Sequence, residues 1–303
     1  MDVPEILKVF VKENEGIIGI VLGLIGTVFT IWGFLIGMRR FNEPQSKTPS
    51  ALADIFAHKV IRVGVINVPP TVTVIQNGEE IDADGIFPRL LKYIAEKEHL
   101  KIEWVPVSWS DIFEAVRTRK VHLVPSIYLT NKRAEHATFC SKILRVKITG
   151  VVRADETRIL THDDLRKPDI RIGIIRFESG WEYAVDRLNL AFEWKRFRVL
   201  DLAELTVLTE LLETSVVDVV LAGGINCDNA VRLANKTKSK LKMIFVEKPL
   251  ETWDCSIMIG RDDFELRDWL DRWVRKIRSL PELAELETRD LADFVDVVEK
   301  RNP

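Results

Sequence analysis

The chain has 303 residues, 47% hydrophobic and 30% charged, an ordinary folding composition with room for one large or two modest cores once any membrane segment is set aside. Its 44 Lys plus Arg against 46 Asp plus Glu leave a formal charge of -2, which removes the electrostatic case for a nucleic-acid partner. Three cysteines, Cys140, Cys227 and Cys255, show no CxxC or Cys/His spacing, so buried free thiols are expected rather than a disulfide framework or a zinc site.

Residues 1–15 form an N-terminal tail with four acids, and residues 16–37, GIIGIVLGLIGTVFTIWGFLIG, carry no charge at all. At about 1.5 Å per residue such a helix spans roughly 33 Å, the thickness of a hydrocarbon core, and predicts one transmembrane helix. The acidic tail and the lack of an A-x-A-like site argue against a cleaved signal peptide. Gly19/Gly23 and Gly33/Gly37 are small-xxx-small pairs that permit a helix-helix dimer. Arg39, Arg40 and Lys47 after the span, against Lys8 and Lys12 before it, lean by about one charge toward a cytoplasmic C-terminal domain. Residues 38–58 read as a linker that ends in a short helical pattern from Ala51 to His58.

Beyond the linker, short apolar runs alternate with helical patterns, the mark of an α/β architecture. A β-branched strand at residues 60–66 ends at Pro69 and Pro70. A helix at 85–99 puts Leu90, Leu91, Ile94 and Ala95 on one face, and a strand follows at 101–107. Then come a helix at 109–119, with Ser108 or Ser110 as its cap, and a strand at 121–125. A second unit repeats the theme: strand 170–175, helix 180–188, strand 197–200, helix 202–214 and the buried strand 216–221, which runs into Ala222, Gly223 and Gly224. Strand 256–259 and helices at 264–279 and from 281 onward close the chain.

In this order the pieces resemble the family 3 extracellular solute-binding proteins, the periplasmic amino-acid-binding type with a type II periplasmic-binding fold. The matching segments are IRVGV (61–65), GIFPRLLKYIAEK (85–97), KIEWVPVSW (101–109), DIFEAVRTRKV (111–121), TNKRAEHATFC (130–140), VVRAD (151–155), DLRKPDIRIGI (164–174) and VVDVVLAG (216–223). The resemblance covers about residues 59–296 and implies a two-lobed fold. Lobe 1 takes residues 59–148 and 250–303, lobe 2 takes 149–249, and hinge crossings fall near 151–153 and 247–252.

The resemblance also implies a ligand site between the lobes. Arg133, in the T-x-x-R element Thr130-Asn131-Lys132-Arg133, matches the family arginine that forks onto a ligand carboxylate. Ser126, Tyr128 and Thr130 stand where the family offers hydroxyls, although residues 120–130 are one residue shorter than the common pattern. On lobe 2, Ser179 opens a helix whose free N–H groups suit an anion, and Arg176, Phe177 and Glu178 depart from the usual Gly-Thr-Thr. The acid that holds an amino acid's ammonium is replaced by Gly223, with Asp228 or Glu178 as substitutes, and the stacking aromatic is replaced by Val68. Trp104, Trp109 and Tyr93 read as packing residues, and the five histidines lack metal spacing.

The reading is a membrane-anchored solute-binding domain, not an enzyme, without catalytic residues, cofactor or metal. It closes on a small carboxylate-bearing solute and works with a membrane permease or a signalling partner. The family's setting outside the cytoplasm outweighs the charge lean, so a periplasmic or extracellular domain is expected. Two alternatives stand beside it: a ligand-gated or protein-binding effector on a degenerate binding fold, and a dehydratase-like enzyme with Glu178 as its general acid.

Overall fold

A computed structural model describes residues 50–189, 193–201, 205–236 and 240–278, all within the unit Pro49–Pro303. The span at 16–37, its glycine pairs, most of the linker and the helix expected from residue 281 lie outside the described residues. Among the described residues no helix is long and apolar enough to cross a membrane.

The β-branched run β1 (Val60–Val65) pairs in parallel with β4 (Lys101–Pro106) and touches β5 (Leu123–Tyr128) at Val63↔Leu123. A hairpin of β2 (Thr73–Asn77) and β3 (Glu80–Asp84) stands apart. Two strands then carry the sheet from one half to the other: β7 (Leu144–Arg153) and β12 (Glu251–Ile259), which pair antiparallel and follow the two-residue β6 (Thr138–Phe139). The second half is again parallel, with β8 (Ile172–Ile175) between β9 (Phe197–Leu200) and β10 (Val219–Gly223), while β11 (Leu241–Ile244) also pairs with β7. The strand order is β4-β1-β5-β12-β7-β10-β8-β9. Ile148 on β7 pairs with both Glu251 and Gly223, so the passage between halves lies there, upstream of residues 151–153, which already pair with β10 and β11.

Helices cover both halves: α1 (Ala51–His58), α2 (Ile86–Lys97), α3 (Ile112–Arg117), α4 (Asn131–Ala134), α5 (Ser179–Arg187), α6 (Leu205–Glu213), α7 (Gly224–Asn235) and α8 (Phe264–Arg278). In α2 the four apolar residues at helical spacing, Leu90, Leu91, Ile94 and Ala95, are all buried. The three cysteines are free and buried, and burial pushes the Cys227 and Cys255 thiols up to about 12.

The stretch read as the end of the linker, α1, is integral to the first half. Ser50 caps it by accepting the Ala53 N–H at 3.2 Å, and Ala51 and Ile55 are fully buried. Its Asp54 meets buried His122: the ring Nδ1 accepts the Arg62 backbone N–H at 2.9 Å, so the proton sits on Nε2 and is donated to Asp54 Oδ2 at 2.8 Å. Arg62 Nη2 donates to the same oxygen at 2.8 Å. The His122 hydrogen bond, joined by Arg62, holds the Asp54 carboxyl down at about 2, and burial lowers the His122 pKa below its ordinary 6.5.

This arrangement sets a pH dependence. The unfolded chain protonates residue 122 near 6.5 while the folded chain resists, so the unfolded state binds the extra proton and stability falls as pH drops below 6.5. Asp54, lowered from 3.8 to about 2, contributes only at far lower pH. The melting midpoint is expected to fall between pH 7.5 and 5.5 and to flatten in His122→Gln. An unchanged slope in that variant would assign the effect elsewhere.

Candidate ligand-binding cleft

Strand β5 runs on past Pro125, so Ser126 and Tyr128 sit within the strand rather than after it. Pro125 brings no N–H to the ladder, and the register against β12 shifts between Ser256 and Met258, which lets Ser126 adopt a left-handed φ of 63°. Its Oγ donates to Thr71 Oγ1 at 2.9 Å, within the first half. Thr130 is the cap of α4, its Oγ1 accepting the Arg133 N–H at 3.4 Å. That cap directs Arg133 across the space between the halves.

Arg133 is buried, with 4% of its surface exposed. Its Nε donates to Glu182 Oε1 at 2.6 Å and its Nη2 to the Phe177 carbonyl at 2.6 Å, both on the second half. Phe177 presents that carbonyl from a left-handed turn of φ 63°, a strained conformation for a non-glycine residue. The Trp109 ring lies 5.6 Å from the guanidinium, and its Nε1 has no partner among the described residues. Trp109, read as packing, therefore forms one wall around Arg133.

Glu178 and Ser179 are buried beside them. Glu178 caps α5, accepting the Gly180 N–H at 2.9 Å, the Ser179 hydroxyl at 2.5 Å and the Gly223 N–H at 3.4 Å. Burial raises the Glu178 pKa against these hydrogen bonds, which take up both of its oxygens. Tyr128 reaches across to the same place, its hydroxyl meeting Ser179, and burial keeps that phenol protonated far above its usual range. A Cβ on Gly223 would lie 2.2 Å from Tyr128 Oη, so the hydroxyl occupies the room an acidic side chain there would need. Asp228, the other substitute, faces elsewhere and pairs with Arg232 at 3.0 Å.

Thus Arg133, Tyr128, Glu178 and Ser179 converge, whereas Thr130 serves the α4 cap and Ser126 turns to Thr71. Glu182 and Asn226 are additional contributors. Asn226 donates to the carbonyls of Val68 and Pro69 at 3.3 and 3.2 Å and ties α7 to the first half. One signal for Glu182 was its place one turn beyond Ser179 on the same helix; its distance of 49 residues from Arg133 hid the pairing. Beside this cluster lies a cavity of about 240 Å³, lined by Asn67, Val68, Ile175, Glu178, Ala222 and Asn229 among others.

Residues 61–290 match the family of bacterial extracellular solute-binding proteins, family 3. The chain belongs to that family. Solved structures similar to this solute-binding protein include an ancestral amino acid-binding protein, a precursor of cyclohexadienyl dehydratase, at 19% identity and TM-score 0.65, covering 78% of this chain and 97% of that one. The solute receptor for L-cysteine of Neisseria gonorrhoeae matches at 18% identity and TM-score 0.65, covering 82% and 96%. A histidine kinase sensor domain with similarity to periplasmic binding proteins matches at 19% identity and TM-score 0.63, covering 76% and 94%. Among curated proteins nothing matches. At these identities the structures share the two-lobed α/β fold, and the family supports a solute-binding role. The described residues contain no cluster of three or more His, Cys, Asp or Glu placed to hold a metal.

Proposed function

We propose that this protein is a membrane-tethered solute-binding domain that takes a small carboxylate-bearing solute between its lobes, with Arg133 as the carboxylate's receptor and Tyr128 and Ser179 beside it. The observation that carries this reading is the Arg133–Glu182 pair. A buried guanidinium fork on one lobe holds a carboxylate oxygen of the other at 2.6 Å, so Glu182 stands in for the carboxylate of a solute. Capture then means exchange: the solute's carboxylate displaces Glu182, which at 14% side-chain exposure lies near enough to water to turn outward. The 240 Å³ cavity alongside receives the rest of a small solute.

Gly223 in place of an acid, and a Glu178 whose two oxygens already accept the Ser179 hydroxyl and the Gly180 and Gly223 N–H groups, disfavour a zwitterionic amino acid relative to its deaminated analogue. An ammonium buried without a partner costs several kcal/mol. Both Glu178 oxygens are engaged, Oε2 by the Gly180 N–H at the α5 cap and Oε1 by the Ser179 hydroxyl and the Gly223 N–H, which counts against a general-acid role. The residues 16–37 supply the tether, and a permanent tether suits a sensor as well as a transport receptor; the partner is correspondingly a signalling protein or a permease.

Calorimetric titration of the full-length chain with amino acids and their deaminated analogues tests the reading. The deaminated acid is expected to bind more tightly, and Glu182→Gln, which removes the internal competitor's charge, is expected to tighten it further. Tighter binding of the amino acid, or weaker carboxylate binding by Glu182→Gln, would count against the exchange. Gly223→Asp alone is expected to displace Tyr128 rather than to install an amine site, given the 2.2 Å approach.

A further inference from the structure

The two halves are joined across the cleft by the chain's own side chains, and two short helices carry the densest of these contacts. On α5, Glu182 and Asp186 stand four residues apart and so share one face of the helix. On α4, the consecutive cations Lys132 and Arg133 meet them: Arg133 Nε donates to Glu182 Oε1 at 2.6 Å, and Lys132 pairs with Asp186. Arg133 Nη2 also reaches the Phe177 carbonyl at 2.6 Å, just ahead of α5, and the Tyr128 hydroxyl meets Ser179 at the first residue of that helix.

A second seam runs along α7, where Asn226 donates to the Val68 and Pro69 carbonyls at 3.3 and 3.2 Å. Near the crossing, Arg187 at the end of α5 donates to Glu251 of β12 at 2.7 Å. These contacts differ in weight. The Arg133 and Glu182 side chains are 4% and 14% exposed, so their charge-assisted bond is shielded from water and salt. Lys132 and Asp186 lie at the surface, and their pair adds less.

A solute closes a two-lobed domain when it adds contacts to the closed arrangement that the open one lacks. In this chain the closed arrangement already holds such contacts. A carboxylate that reaches Arg133 replaces one of them, the Glu182 bond, and so adds little to closure.

We propose that the chain latches itself: the seam between α4 and α5 keeps the halves together without a solute, and the open arrangement is a minor one through which a solute enters. The latch itself needs no particular solute. Its consequence for capture rests on Arg133 being the carboxylate's receptor: the apparent affinity is lowered in proportion to the small open fraction, so loosening the seam without touching Arg133 strengthens binding.

The test is the distance between spin labels on the full-length chain in detergent, with no solute added. Glu103→Cys on β4 and Arg198→Cys on β9 place the labels on exposed residues of the outermost strands of the two halves, and the three native cysteines are buried away from the reagent. The labelled parent is expected to show one distance band, with any second band below roughly a tenth of the molecules. Glu182→Lys with Asp186→Lys sets two cations against Lys132 and Arg133, and is expected to move more than half of the molecules to a second band several Å away. Adding Lys132→Glu to that variant restores one opposite-charge contact and is expected to return most molecules to the parent band, which a misfolded α5 would not allow. The latch is overturned if the parent already divides between two bands, if the double variant keeps the parent distance, or if Lys132→Glu restores nothing. None of these outcomes involves a solute, so they are independent of the calorimetric test of Arg133.

Discussion

Arg133→Ala is expected to remove most of the affinity for a carboxylate solute, by about 2–5 kcal/mol, the range for truncating one partner of a buried charged hydrogen-bonded pair. That is roughly thirtyfold to several thousandfold in Kd at about 1.4 kcal/mol per tenfold. The guanidinium is 4% exposed, so water does not replace what it offers, and its position depends on the Thr130 cap and the Trp109 ring rather than on a mobile stem. Lysine is expected to rescue little, because a point charge cannot give the two donors that now serve Glu182 and the Phe177 carbonyl. The same substitution removes bonds that join the halves, while Lys132–Asp186, Arg187–Glu251 and Asn226 remain, so the fold is expected to persist. Calorimetry with the solute that stabilises the parent most decides this. Parent-like affinity in a folded Arg133→Ala protein would end the receptor role.

Gly180→Ala is expected to be the most damaging conservative change to the fold at the cleft. A Cβ at 180 would lie 2.0 Å from the Leu221 carbonyl oxygen and 2.7 Å from its carbon, backbone atoms of β10 that have nowhere to move. Overpacking of this kind costs about 3 kcal/mol, and in a domain of this size that lowers the melting midpoint by roughly 6–12 °C. Gly150→Ala is the comparison: its Cβ would meet the flexible Ile244 side chain at 3.0 Å, which can yield, so the loss should be clearly smaller. Any shift of α5 that relieves Gly180→Ala also carries Glu182, two residues on, away from Arg133. Equal melting midpoints for the two variants would show that α5 does not depend on this close approach.

Much of the fold was legible because it is encoded locally. The β-branched runs at β1, β8 and β10 and the apolar faces of α2 and α8 follow from which residues alternate or recur, and those signals survive in any packing. Arg133 was legible through the order of its neighbours. The boundary errors have specific causes: β5 passes through Pro125 because its partner strand shifts register there, and α1 looks like linker until Asp54 finds His122 and Arg62.

The sequence by itself determined the α/β class, the repeat of two parallel units and the family order of segments, because each is a property of residues near one another in the chain. Only the tertiary structure decided what Arg133 holds, that Tyr128 fills the room beside Gly223, and that Lys132 faces Asp186. The reason is distance along the chain: these partners are separated by dozens of residues, and nothing in local periodicity specifies which of them the approach of two halves will set face to face.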